Sequence, residues 1–199
     1  MERAVCRDNI NHEILDGRIF YMAPRPAVKH NFVITNIGGI FYPFLKGKKC
    51  QMFSDGVDVF LTKKDRVVPD FMIVCNRDII KSDGIHGSPD LIIEVLSPGT
   101  ARKDKGYKKD LYEKCGVKEY WIISPEEKSI EVYLLNPEEN RYMLDNVYSI
   151  FPDFMIERMI EENIDIDTEV IKEFKTSLYD DLIIKVEDVF YNMDFEDKI

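Results

Sequence analysis

At 199 residues, 45% of them hydrophobic, the chain is long enough for one domain with a substantial core. Its apolar stretches, such as 71–75 and 91–93, are far too short to span a bilayer, and no basic segment followed by an apolar h-region opens the chain, so the expectation is a cytoplasmic protein rather than a membrane protein or secreted precursor. The net charge of −10 argues against a phosphate-binding surface until it is divided: residues 1–120 hold 20 Lys+Arg against 16 Asp+Glu, net +4, whereas residues 121–199 hold 7 against 21, net −14.

Residues 12–22 read as two short strands around Asp16-Gly17, a pair that tolerates the positive φ of a tight hairpin. From Val28 to Leu45 apolar residues recur near helical period at Val33, Ile37, Ile40, Phe41 and Phe44, which predicts a long helix despite Gly38-Gly39 and Pro43. Residues 51–61 and 66–74 are rich in Val, Phe, Met and Ile and read as adjacent strands separated by a turn at Lys63-Lys64-Asp65. Residues 76–89 read as a loop, and residues 90–96 as a central strand because they are almost free of polar groups.

Ser97-Pro98-Gly99-Thr100 suits a helix cap, and residues 101–115 read as a second helix stopped by Gly116. Residues 118–123 and 130–135 form an expected closing hairpin with Trp121 and Tyr133 as packing residues. The elements predict one α/β (α+β) domain over 1–199: a mixed sheet flanked by helices with an N-terminal hairpin, its core over 10–136. Residues 137–199 then read as an acidic extension containing an insertion near 154–184, a helix over 169–176 and a terminal strand near 182–190.

Cys6, Cys50, Cys75 and Cys115 form no CxxC pair, and His12, His30 and His86 lack HxxxH or HxxE spacing, so neither a zinc site nor a disulfide is expected. More informative are Asp70, inside a strand-like run, and Glu94, which interrupts the most apolar strand. Burying an isolated carboxylate costs several kcal/mol, roughly, unless it is paired, protonated or bound to a cation. If the strands are adjacent, the two carboxylates meet and supply the oxygen ligands that Mg²⁺ or Mn²⁺ prefers. For either residue alone, a simple pairing with Arg or Lys is the commoner outcome.

Helical spacing places Asp104 and Lys108 near the inward face of Tyr107, Leu111 and Cys115. Their i,i+4 spacing equally suits a surface ion pair. Arg102, Lys103, Lys105, Lys108 and Lys109 put five basic residues within eight, a short patch for phosphates or simply a solvated helix face.

Taken in order and spacing, Val68-Pro69-Asp70, then residues 88–98 around Asp90-Leu91-Ile92-Ile93-Glu94-Val95, then Asp104, Lys108, Tyr112 and residues 116–121 resemble the Uma-two pattern of restriction-endonuclease-like proteins. That family is a branch of the PD-(D/E)XK nuclease superfamily. Glu13 to Asp16, Gly17 and His30 fit its opening segment, so the resemblance covers about 13–142, with 182–190 similar to its terminal strand.

The resemblance implies a nuclease fold and an Mg²⁺- or Mn²⁺-dependent endonuclease acting on DNA. Asp70, Glu94 and the backbone at Val95 would hold the metal, with Lys108 as the catalytic lysine and Asp104 orienting it. Glu13, His30 and Tyr112 are accessory candidates, and Arg102, Lys103, Lys105 and Lys109 are DNA-contact candidates. The usual motif lysine, two positions after the acidic residue, is replaced by Leu96, so Lys108 must enter from the following helix.

A catalytically inactive DNA-binding module on the same scaffold, or a protein-interaction module using the acidic tail, are the rival readings. Ser97 lacks a GxSxG elbow, and no GxxxxGK[ST] or GxGxxG occurs, so no nucleotide cofactor is expected. A homodimer is expected on the ground that cutting both strands calls for two active sites.

Overall fold

The computed structural model describes residues 11–22, 27–54, 56–165 and 170–194. Within them the chain runs β1 (His12–Leu15), β2 (Arg18–Tyr21), α1 (Val28–Leu45), β3 (Gln51–Ser54), β4 (Val59–Phe60), β5 (Arg66–Val67), β6 (Phe71–Val74), a 3-10 turn (Arg77–Ile79), β7 (Ile80–Lys81), β8 (Gly84–His86) and β9 (Leu91–Val95). It continues through α2 (Ala101–Lys103), a π-helical segment (Asp104–Lys108), α3 (Lys109–Cys115), β10 (Glu119–Ser124), β11 (Ser129–Asn136), β12 (Arg141–Ser149), α4 (Asp153–Glu161), β13 (Glu173–Lys175), β14 (Ile183–Lys185) and α5 (Val186–Val189).

All five residues of β9 are buried, as a strand covered on both faces requires. It lies in a mixed sheet ordered β12-β11-β10-β9-β6-β3, parallel to β10 and antiparallel to β6. Because strand side chains alternate, this sheet builds two cores. On one side Phe71, Ile73, Leu91, Ile93 and Trp121 pack against α1 through Val33, Ile37 and Phe41, and against the C-terminal segment through Phe174, Ile184 and Val189. On the other, Met72, Ile92, Tyr120 and Ile122 pack against α3 through Leu111 and Tyr112. A second sheet, ordered β2-β1-β5-β4-β8-β7, completes that side through Leu15, Val59, Val67 and Ile85.

The N-terminal hairpin, the helix from Val28 to Leu45 and the stop at Gly116, whose φ is +81°, agree with the sequence. Other expectations are corrected. Neither 51–61 nor 66–74 is one strand: β3 and β6 belong to the first sheet, β4 and β5 to the second. The first run breaks near Gly56, at φ +78°, and the second at Val68-Pro69, where proline has no N–H to continue a ladder.

The expected loop 76–89 contains the 3-10 turn, β7 and β8. Gly84 lets β8 approach β4, since a Cβ there would stand 2.4 Å from the Asp58 carbonyl oxygen. The first sheet also continues past residue 136, because β12 pairs with β11 along its length. In the tail, residue 169 lies outside the described residues and 173–175 are strand rather than helix. The expected strand over 182–190 covers only Ile183–Lys185 before turning helical at Val186.

The cysteines are a further correction. Cys50 and Cys75 form a disulfide, because the register that pairs Gln51 with Val74 brings the next residues of β3 and β6 face to face. Cys115 is free and half-buried, and Cys6 lies outside the described residues. Among the described residues no helix is long and apolar enough to cross a membrane.

The C-terminal segment is bound to the core through a buried carboxylate. Glu119, fully buried on β10, accepts hydrogen bonds from Trp121 Nε1 at 2.6 Å, Thr176 Oγ1 at 2.8 Å, and Ser177 N and Oγ at 2.8 and 2.6 Å. Burial pushes its carboxyl above the usual range, although all four donors favour the anion. Glu119→Ala should strand these donors and lower stability by about 3 kcal/mol or more, read from urea unfolding. Limited proteolysis should then cut first within 170–194; unchanged stability would contradict this anchoring role.

Candidate functional site

The last paired residues of β6 and β9 before Pro69 are Phe71 and Ile93. One further step of that antiparallel register sets Asp70 opposite Glu94. Asp70 therefore sits at the crossing between the sheets, just before β6, and not within a strand as the sequence suggested. The Val95 N–H donates to Asp70 Oδ2 at 2.8 Å, and His30 Nε2, from the first turn of α1, lies 3.1 Å from the same oxygen. Glu94 points to the side covered by α3, where Tyr112 OH donates to its Oε1 at 2.7 Å.

Lys108 enters from the π-helical segment, which the sequence reading took as ordinary helix. The segment is kinked at Gly106, at φ −113° and ψ −107°, and it buries Asp104 and Lys108 while leaving Lys105 and Tyr107 exposed. A glycine inside a helical pattern is the signal that would have marked it. Lys108 Nζ lies 2.6 Å from Glu94 Oε1, 3.0 Å from Glu13 Oε1 and 3.5 Å from Asp104 Oδ1. Lys103 Nζ reaches Glu13 Oε2 at 3.3 Å, and the Val68 N–H donates to Glu13 Oε1 at 3.2 Å. Glu13, only an accessory candidate on the sequence, stands at the centre of the cluster, whereas Asp104 is the most distant of the three acids from the ammonium.

These groups line a cleft of about 350 Å³ bounded by Glu13, His30, Asp70, Glu94, Lys103 and Lys108. Tyr21 and Thr100 also line it and were not legible as site residues. Lys105 instead pairs with Glu131 at 2.6 Å, and Lys109 lies over the Tyr133 ring at 3.7 Å, so both attach to β11; neither they nor Arg102 line the cleft.

The electrostatics follow from the buried Lys108 and the partly exposed Lys103 among several acids. Burial drives the Glu94 carboxyl well above the usual range; Lys108 opposes this, and Asp104, Asp70 and Glu13 reinforce it. Asp104 is raised for the same reason against the same opposition. For Glu13 burial acts upward too, but Lys108, Lys103 and the Val68 N–H outweigh it and hold the carboxyl below its ordinary value. Burial disfavours the Lys108 ammonium, yet Glu94, Glu13 and Asp104 overcome that and keep it protonated far above the usual lysine range. The arrangement is a cleft lined by several acids and two lysines, with the Lys108 ammonium buried at its base.

A clamp outside the cleft holds its walls in register. Asp65 accepts from the Asp16 N–H at 2.8 Å, Thr62 Oγ1 at 2.5 Å and Tyr107 OH at 2.7 Å. It thereby joins the β1–β2 turn to the π segment that carries Lys108.

Compared with known proteins, residues 3–169 match the profile of the Uma2 family, described as "Putative restriction endonuclease". The chain is 26% identical over 141 residues to an uncharacterized protein of Synechocystis, slr1290, covering 70% of this chain and 74% of the relative. Its fold is similar to that of a crystal structure described as a "putative nuclease belonging to DUF820" from Anabaena variabilis, with a TM-score of 0.65 and 20% identity over 90% of this chain and 89% of that one.

Replacing Lys108 tests the electrostatic account. Lys108→Met should destabilise the fold by about 3–5 kcal/mol near neutral pH, because buried carboxylates lose their shared cation. Without it their carboxyls rise further, and a raised acid contributes stability below its ordinary pKa that is lost as pH climbs through the folded value. The penalty in urea unfolding should therefore shrink between about pH 8 and about pH 5. A pH-independent penalty would contradict the cluster.

Proposed function

The chain belongs to the Uma2 family of restriction-endonuclease-like proteins, and from that membership we propose that it is a divalent-metal-dependent endonuclease hydrolysing DNA phosphodiester bonds. The observation that carries the reading is the convergence of Asp70, Glu94 and Lys108 in one cleft from three separate segments of the chain. Family membership alone supports only the coarser class of nuclease.

The donor set fits a hard cation. Among the described residues no three His, Cys, Asp or Glu side chains converge at metal-binding spacing. A cation here would rest on the Asp70 and Glu94 carboxylates, the Val95 carbonyl and water, the ligand economy of Mg²⁺ or Mn²⁺. Bound there, the metal would acidify a water and neutralise charge on the phosphate.

The protein's own groups divide the remaining work. His30 and the Val95 N–H fix the Asp70 carboxylate, and Tyr112 fixes Glu94. Lys108 presents a permanent ammonium at the Glu94 oxygen, where it positions an attacking water or meets charge developing on a phosphate oxygen. Glu13, with Asp104 as the remoter partner, holds that ammonium charged and in place. Lys103, already in the cleft, is the basic residue best placed to meet a neighbouring phosphate. Cutting both strands of a duplex would need two such clefts, so a homodimer belongs to the proposal.

One observation favours a second reading, a binding scaffold without turnover: Lys108 is already engaged by three carboxylates, as a purely structural ion cluster would be, and Leu96 occupies the usual lysine position. Incubation of supercoiled plasmid with Mg²⁺, Mn²⁺ or EDTA separates the two. The proposal expects metal-dependent nicking that falls about a hundredfold or more in Asp70→Asn and Glu94→Gln. Salt-sensitive DNA binding by folded wild-type protein without any cleavage would establish the scaffold reading instead.

A further inference from the structure

The hairpin beside the cleft carries an exposed aromatic edge that the fold does not use. β2 is the outer strand of its sheet, and all four of its residues, Arg18-Ile19-Phe20-Tyr21, are exposed, with Ile19 at 56%, Phe20 at 38% and Tyr21 at 65%. Exposed apolar and aromatic side chains on both faces of a sheet-edge strand contribute little to stability and mark a contact surface.

The register decides where that surface looks. Phe20 pairs directly with Glu13, so both project from the same face of the hairpin, and Glu13 is the buried carboxylate bound to Lys108. Lys103 Nζ, 3.3 Å from Glu13 Oε2, is 5.8 Å from the centroid of the Phe20 ring. Tyr21 pairs with His12, so its ring stands on the opposite face, edge-on to the His12 ring at 6.3 Å, while the residue also borders the cleft. Phe20 and the partly exposed Lys103 thus stand beside the cleft on one face of the hairpin and Tyr21 on the other, and Arg18 adds an exposed cation on the same strand.

We infer that the exposed rings of Phe20 and Tyr21, one on each face of β2, are separate stacking sites for unpaired nucleobases of one strand passing over this edge, so that the preferred substrate of this cleft is a single-stranded or locally unpaired nucleic acid rather than an intact duplex. The inference rests on the nuclease reading and names its substrate class. Stacking on aromatic rings suits any base because every base presents a π face, and it is available only to bases that have left their own stack. The basic groups alongside answer the phosphates of the same strand, which favours a nucleic acid over a neutral peptide laid along the strand edge.

The test is fluorescence anisotropy in EDTA, where metal-dependent cleavage does not run, using one labelled oligonucleotide both as single strand and as duplex. Wild type should bind the single strand more tightly. Phe20→Ala and Tyr21→Ala should each weaken that binding by roughly fivefold to a hundredfold and leave duplex binding unchanged, while Tyr21→Phe should bind as wild type does. Because these side chains are exposed, unfolding midpoints should not move, which keeps the comparison interpretable.

Duplex preference in the wild type, or single-strand binding unaffected in both alanine variants, would overturn the inference. So would β2 pairing with a second copy, seen as a dimer that Phe20→Ala and Tyr21→Ala dissociate. Plasmid nicking without single-strand preference would sink this inference and leave the nuclease reading intact. Single-strand preference lost in the variants, with no cleavage under any metal, would sustain the stacking sites and sink the nuclease reading.

Discussion

A single ammonium buried among carboxylates is the constraint around which this molecule is built. Lys108, Glu13, Glu94 and Asp104 have almost no exposed side-chain surface, and each would be costly to bury alone. They come from the first hairpin, the central strand and the π-helical segment, so beyond the Asp104–Lys108 pair none is compensated until these elements meet. Three acids share that ammonium, and burial raises the carboxyls of Glu94 and Asp104, a shift that a bound cation would oppose. A charge arrangement that penalises misassembly is therefore the same arrangement that lines the cleft.

The chain's passage from one sheet to the other serves that cluster. At Val68-Pro69-Asp70 the backbone leaves the ladder, frees the Val68 N–H for Glu13 and sets Asp70 opposite Glu94. Proline is suited to this position because it ends pairing on one sheet without leaving an unsatisfied donor. Asp65 ties the hairpin to Tyr107, one residue before Lys108, so the two walls of the cleft share a support outside it. The opposite face of the central sheet is filled by α1 and the C-terminal segment, with Glu119 fastening the latter. One face lines the cleft and the other holds the fold together.

How much of this could be read beforehand followed from the range of the interactions. Helix α1 was legible because Val33, Ile37 and Phe41 repeat at helical spacing, and β9 because its apolar run is broken only by Glu94. The pairing of Asp70 with Glu94 was also foreseeable, since two ionisable groups stood where the pattern wanted hydrophobes. The two-sheet crossing was not, because residues 66–74 look like one strand and only Pro69 hints otherwise. The central place of Glu13 and the exposed ring of Tyr21 depend on contacts between residues far apart in sequence, which no local pattern encodes. Acidity misled in the tail: β12 and β13 are strands within a segment whose composition reads as solvated, and their burial of Tyr142, Tyr148 and Phe174 is visible only once the sheet is assembled.

The account turns on whether the Asp70–Glu94 edge of the cleft holds a divalent cation. Crystals grown with Mn²⁺ and measured at a wavelength where manganese scatters anomalously would locate the ion directly. The account predicts one strong anomalous peak contacted by the Asp70 and Glu94 carboxylates and the Val95 carbonyl, absent in crystals of Glu94→Gln. A well-ordered cleft without that peak at saturating Mn²⁺, with Lys108 still bound to Glu94, would contradict it and leave the cluster a structural ion network.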